Sequence, residues 1–110
     1  MLEDKLQKFL ESNREIGTLI LAASDGLPIA FKSRENEEME EVSAKAMAFY
    51  NNALSLGYND IKEILLHWGD DRYVYLTPVQ EDVFLIAIFR NSIPGKTMFY
   101  LRILASEIKI

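Results

Sequence analysis

Pro94-Gly95-Lys96-Thr97 comes nearest to a chemical motif: it follows an apolar run and precedes an amphipathic segment, as the end of a phosphate-binding loop does. In such a loop backbone amides and a lysine cradle phosphates, and the full pattern needs an earlier glycine where this chain has Arg90. The nest of amides is therefore missing, and no downstream strand remains for a magnesium-binding aspartate, so Pro94 and Gly95 read as a helix-start loop. His67 is the only histidine and cysteine is absent, which leaves no thiolate zinc site, iron–sulfur cluster, thiol nucleophile or His-based metal site. The acidic pairs Asp70-Asp71 and Glu81-Asp82 have the chemistry of general acids and bases, but both stand where tight turns favour such residues. The run Glu35 to Glu41 reads as a solvated helix start, with an acidic patch for a basic partner as the alternative. Nothing joins a nucleophile, a base and an oxyanion stabiliser. The expectation is a non-enzyme with no metal and no cofactor.

The elements that carry these residues fit one domain, residues 1–110. The chain has 110 residues, 49% hydrophobic and 26% charged, with a net charge of −5. An acidic balance argues against nucleic-acid binding, which needs a basic surface to release counterions, and against docking on an anionic membrane. Met1-Leu2-Glu3-Asp4-Lys5 is charged where a signal peptide needs its apolar core. The longest apolar run, Val83 to Phe89, is far short of the roughly 20 residues of a membrane-spanning helix. A cytoplasmic protein is expected.

Leu2, Leu6, Phe9 and Leu10 form one stripe of a helix that ends near Asn13. Ile16 to Ala23 is apolar on both alternating faces, so layers must cover both sides of its sheet. Ser24-Asp25-Gly26 predicts a tight hairpin turn into a strand from Leu27 to Phe31, and Pro28, which donates no ladder hydrogen bond, places that strand at an edge. Lys32 to Glu38 reads as a loop. Asn36 is the expected cap of a second helix that runs to about Leu56 and stops at Gly57. Strands are expected over Asp60–Trp68, Arg72–Val79 and Val83–Phe89, joined by Gly69-Asp70-Asp71 and Gln80-Glu81-Asp82. After the loop Arg90 to Lys96 a last helix carries Met98, Leu101, Leu104, Ala105 and Ile108 on one stripe. The order α-β-β-α-β-β-β-α predicts an α/β protein, a three-layer α/β/α sandwich around a mostly antiparallel five-stranded sheet.

The second helix carries more apolar surface than that fold uses. Placed at 100° per residue, Leu56, Phe49, Val42, Ala53, Ala46, Met39, Tyr50, Leu54 and Met47 span about 180°, against the ~100° stripe a sheet-packed helix needs. The surplus is assigned to Met47, Tyr50 and Leu54, with Ala44 and Ala48 beyond them open to another backbone. The Asp60–Trp68 strand is apolar and free of proline, and Lys62 and Glu63 guard it only weakly, so its edge is an aggregation hazard unless paired. A self-association interface of Met47, Tyr50, Leu54, Ile61, Glu63 and Leu65 would bury both liabilities across a two-fold axis.

Ile16-Gly17-Thr18-Leu19-Ile20-Leu21-Ala22-Ala23-Ser24-Asp25-Gly26-Leu27-Pro28-Ile29-Ala30 resembles the opening hairpin of the roadblock/dynein light chain family, and Thr77-Pro78-Val79-Gln80-Glu81-Asp82-Val83-Phe84-Leu85-Ile86-Ala87 is similar to its second block. The element order agrees over nearly the whole chain. The resemblance implies a profilin-like sheet with the Leu27 and Asp60 strands at its edges. It also implies a homodimer, or a heterodimer with a related roadblock domain, in which the middle helix and the Asp60 strand meet their counterparts. Family members bind or regulate Ras-like small GTPases, some bacterial ones activating GTP hydrolysis, or serve as scaffold and motor-complex subunits. The surface carried over for a GTPase is Glu40, Ala44 and Asn51. A structural assembly subunit without nucleotide dependence is the alternative, and a small-ligand sensor is the weakest reading because polar pocket residues do not cluster. Two departures bear on catalytic stimulation: Pro94 stiffens a loop that is often glycine-rich in the family, and no extension follows Ile110.

Overall fold

The computed structural model describes residues 2–69, 71–90 and 93–109, so Met1, Asp70, Asn91, Ser92, Ile110 and the side chain of Trp68, with the expectations resting on them, lie outside the described residues. The elements run α1 (Leu2–Ser12), β1 (Ile16–Ala23), β2 (Pro28–Ser33), α2 (Met39–Ser55), β3 (Ile64–Trp68), β4 (Arg72–Gln80), β5 (Val83–Arg90) and α3 (Pro94–Glu107). The sheet order is β2-β1-β5-β4-β3 and every described pair is antiparallel. β2 and β3 are the edges. Alternation along the strands splits the apolar residues into two cores, because successive side chains point to opposite faces. Leu19, Leu21, Leu85, Ala87 and Phe89 meet Leu6 and Leu10 of α1 and Leu101 and Leu104 of α3. Ile20, Ala22, Leu76, Phe84 and Ile86 meet Met39, Ala46 and Met47 of α2.

Local chemistry sets the boundaries. The β1–β2 turn closes with the Gly26 amide donating to Ala23 O at 2.9 Å, while Asp25 Oδ1 accepts from the Leu27 amide at 3.0 Å. Gly26 has φ +95°, which favours glycine, and a Cβ there would lie 3.1 Å from Ala44 Cα in α2. α2 ends as the sequence predicts: Gly57 takes φ +94° and donates to Leu54 O at 3.0 Å while Tyr58 donates to Ala53 O at 3.1 Å, the paired bonds of a glycine-terminated helix. Pro78 is tolerated inside β4 because it lies beyond Leu76, which faces Ile64 at the start of β3.

Four expected boundaries are corrected. β2 begins at Pro28 and continues to Ser33, past Phe31. Asn36 does not cap α2, which starts at Met39 with Glu38 at the cap position and no side-chain capping bond. The preceding chain is tied elsewhere: Ser33 Oγ accepts from the Glu35 amide at 3.0 Å, and Glu35 pairs with Arg90 at 2.7 Å, so helix begins only after these anchors. β3 starts at Ile64 rather than Asp60, since Asp60 takes φ +59° and Lys62 O accepts from Thr77 Oγ1 at 2.9 Å. Pro94, Gly95 and Lys96 form the first turn of α3 rather than a loop, proline at a helix start losing no helical hydrogen bond.

Candidate interaction surface

α2 is seated against the β1–β2 side of the sheet. Gly26 abuts Ala44, and Asn51 Nδ2 reaches Ser24 O at 3.4 Å, so the hairpin tip fixes the rotation of the helix about its axis. That rotation decides which residues of the wide apolar arc are covered. Met47 is 1% exposed and belongs to the protomer's own core, while Phe49 is 51% exposed. Of the residues expected to be surplus, Met47 is therefore taken by the core and Leu54 stays exposed, while further apolar surface lies on the Phe49–Leu56 flank. Beside it runs a mainly apolar groove of about 560 Å³ between α2 and the last strands, lined by Val42, Ala46, Phe49, Leu66, Val74 and Ile88 together with Glu37, Lys45 and His67. Its outer wall is β3, whose described residues pair only with β4.

The other residues expected at an interface are placed differently. Tyr50 is half-buried, its ring 4.6 Å from that of Phe84, and Leu54 stays exposed near the end of α2. Leu65 is 37% exposed on β3, but Ile61 and Glu63 lie in the segment before the strand. Glu63 turns toward α3: Arg102 Nη2 donates to Glu63 Oε1 at 2.8 Å, Arg102 Nε donates to Oε2, and the buried Tyr75 hydroxyl donates to the same oxygen. The arginine holds the Glu63 carboxyl below its ordinary value, and burial with the neighbouring carboxylate raises the Tyr75 hydroxyl well above its own. Glu40, Ala44 and Asn51 are all exposed on the hairpin side of α2. At the same edge of the sheet Leu27 before β2, and Ile29 and Phe31 within it, are exposed, an apolar feature that sequence reading missed. Period-two spacing on a strand labelled as an edge was the available signal.

Thr97 is buried and Lys96 exposed in the first turn of α3. His67 stacks on Tyr73 at 4.3 Å, and Tyr73 on Phe89 at 5.1 Å, a ring column on the α3 side of the sheet. Among the described residues no three metal-ligating side chains gather, and no helix is long and apolar enough to cross a membrane.

No family model and no curated protein matches the sequence. Solved structures do match. A Roadblock/LC7 domain from Streptomyces avermitilis is similar over 94% of this chain and 90% of its own, with TM-score 0.82 and 12% identity. MglB of Myxococcus xanthus is similar over 96% and 89%, with TM-score 0.78 and 18% identity. Profilin IA of Acanthamoeba castellanii is similar over 96% and 94%, with TM-score 0.63 and 13% identity. Near-complete coverage at such low identity is a likeness of architecture, three helices about one antiparallel sheet of order β2-β1-β5-β4-β3, and the protein has the roadblock/LC7 fold, a profilin-like arrangement.

Proposed function

We propose that this protein is a dimeric, non-enzymatic regulatory and scaffold module of the cytoplasm that binds a Ras-like small GTPase and biases its nucleotide state. One observation carries the dimer: an unpaired strand edge and an open apolar helix flank border the same groove. A second copy, or a related roadblock domain, set across a two-fold axis would extend the sheet through β3 and lay its own α2 beside Phe49. Leu54 and Leu65 supply exposed contacts, Met47 and Tyr50 support α2 from within, and Ile61 and Glu63 flank the strand end. The acidic Glu40, with Ala44 and Asn51, offers the GTPase a surface on the opposite side of α2. Binding shifts the GTPase only by the difference in affinity for its two nucleotide states.

Light scattering after gel filtration tests the dimer. The wild type should give about twice 12.6 kDa, and Phe49→Glu should lower that mass while the chain stays folded. A wild type that is monomeric at micromolar concentration defeats the reading. The GTPase is tested by pull-down with a purified Ras-like small GTPase loaded with GDP or a GTP analogue. Unequal capture supports the regulatory role. Equal capture favours the assembly-subunit alternative, and no capture in either state removes the GTPase from the proposal.

A further inference from the structure

α3 has two apolar sides, and the fold uses one. Leu101 and Leu104 pack inward with α1 on the side of the sheet away from α2. Facing outward, Phe99 is 56%, Tyr100 40% and Ile103 42% exposed, and the rings of Phe99 and Tyr100 meet edge to face at 5.6 Å. At 100° per residue Lys96, Phe99, Tyr100, Ile103 and Glu107 fall within an arc of about 100°. The stripe is thus basic at the start of the helix and apolar in its middle, and its acidic end, Glu107, is exposed at the margin toward α1, where it lines a cleft with Lys5 and Lys8. Among the described residues neither Lys96 nor Glu107 forms an ion pair within the chain. Such a sequence of charges is complementary to its own reverse. Antiparallel pairing centred between Leu101 and Arg102 sets Tyr100 against Ile103 of the second copy and Lys96 against its Glu107, twice by symmetry. An isologous contact requires this self-complementarity, since the same patch must serve both partners.

We propose that the outer stripe of α3 is a second self-association surface whose partner is the α3 of another copy of this chain. The apolar centre holds the pair together, while the end charges fix its antiparallel direction and disfavour the parallel one, which would bring like charges together. A single-helix contact lies at the small end of specific interfaces, so the association is weak and depends on concentration. It rests on surfaces separate from the groove beside α2. If both contacts form, dimers are joined into a closed tetramer when the two axes close, or into an open array when they do not.

Sedimentation of the full chain from micromolar to millimolar concentration tests this. Ile103→Glu should lower the average mass at the upper concentrations, with circular dichroism and thermal melting unchanged because the side chain is exposed. The charge pair gives a second test. Lys96→Glu and Glu107→Lys should each weaken association alone, and an equimolar mixture of the two variants should restore it, each cation again facing a carboxylate. A Phe49→Glu chain separates this surface from the α2 groove: it should still associate at high concentration, and adding Ile103→Glu should abolish that residue of association. The proposal is overturned if Ile103→Glu associates like the wild type, if the charge variants do not complement, or if Phe49→Glu alone is monomeric throughout the range.

Discussion

Under α1 and α3 the sheet buries Leu6, Leu10, Phe89, Leu101 and Leu104 against two helices, whereas under α2 it leaves Leu66 and Val74 beside an open groove with Phe49 at its rim. Both faces have the same alternating apolar strands. What differs is the number of helices available to cover them. The two-helix side is also cross-linked by polar contacts: Arg34 donates to Ile16 O at 2.9 Å and to Asn13 O at 3.1 Å just past α1, and Arg102 clamps Glu63 beside Tyr75. On the single-helix side, α2 is placed by Gly26 and Asn51 at one margin and borders the groove at the other. One face is finished by its own chain, and the other leaves room for a partner.

The largest effects should expose that asymmetry directly. Leu101→Ala, at a fully buried site, should cost about 2–5 kcal/mol in urea denaturation, the range for removing a large core side chain and leaving a cavity. Phe49→Ala should cost the protomer far less and act mainly on mass in light scattering. Equal losses of protomer stability would mean that the α2 flank is covered within the chain. Next in size is Gly26→Ala. The new methyl would meet Ala44 Cα at 3.1 Å on a backbone with φ +95°, so about 1–3 kcal/mol should be lost, with α2 displaced from the hairpin. Hydrogen exchange should then quicken in α2 and leave α1 and α3 protected. Uniform quickening would show that the two faces are one cooperative unit.

Much of this division was legible in the sequence, and the parts that were not share a cause. Ile16 to Ala23 declared itself a two-sided strand, and Gly57 closed α2, because each signal is local. The sequence places the start of β3 too early because Ile61 continues an apolar pattern. What ends the strand at Ile64 is the positive φ of Asp60 and the capture of Glu63 by Arg102, which lies 39 residues away. The apolar arc of α2 is visible in the sequence, and Phe49, Leu54 and Leu56 along it stay exposed. Which of its residues faced solvent depended on the contact of Gly26 with Ala44, and angles around a helix axis carry no information about a neighbour in space. For that reason Met47 was assigned to the surface and Phe49 was not. The outer stripe of α3 was open to the same angular count but was masked by the inner one.

The clamp on Glu63 gives a smaller, pH-dependent effect on the two-helix side. Arg102 lowers the carboxyl's pKa in the folded state below its ordinary 4.5. Stability from this group is therefore fully present above that ordinary value and lost as pH falls through the depressed folded one. Glu63→Gln removes the titration and should flatten the acid limb of stability relative to the wild type below pH 4.5, with little change in that difference between pH 5 and 8. Thermal melts across the acid range measure it. Parallel acid limbs would show that Glu63 titrates as freely as a surface carboxylate and that the α3 clamp is not formed in solution.

Ser43 supplies the smallest effect and the one opposite in sign. It is fully buried under α2 and its Oγ has no hydrogen-bond partner among the described residues. A buried hydroxyl without a partner has given up water for nothing, and alanine fits the same space with a better helix propensity. Ser43→Ala should therefore stabilise the protomer by about 1 kcal/mol, a rise of roughly 4 °C in melting temperature for a domain of this size. Its mass in light scattering should not change, because the site does not reach the groove. A loss of stability instead would place a hydrogen bond at Oγ, most simply back to the Met39 carbonyl one turn earlier, and would make the α2 face better satisfied than its open flank suggests.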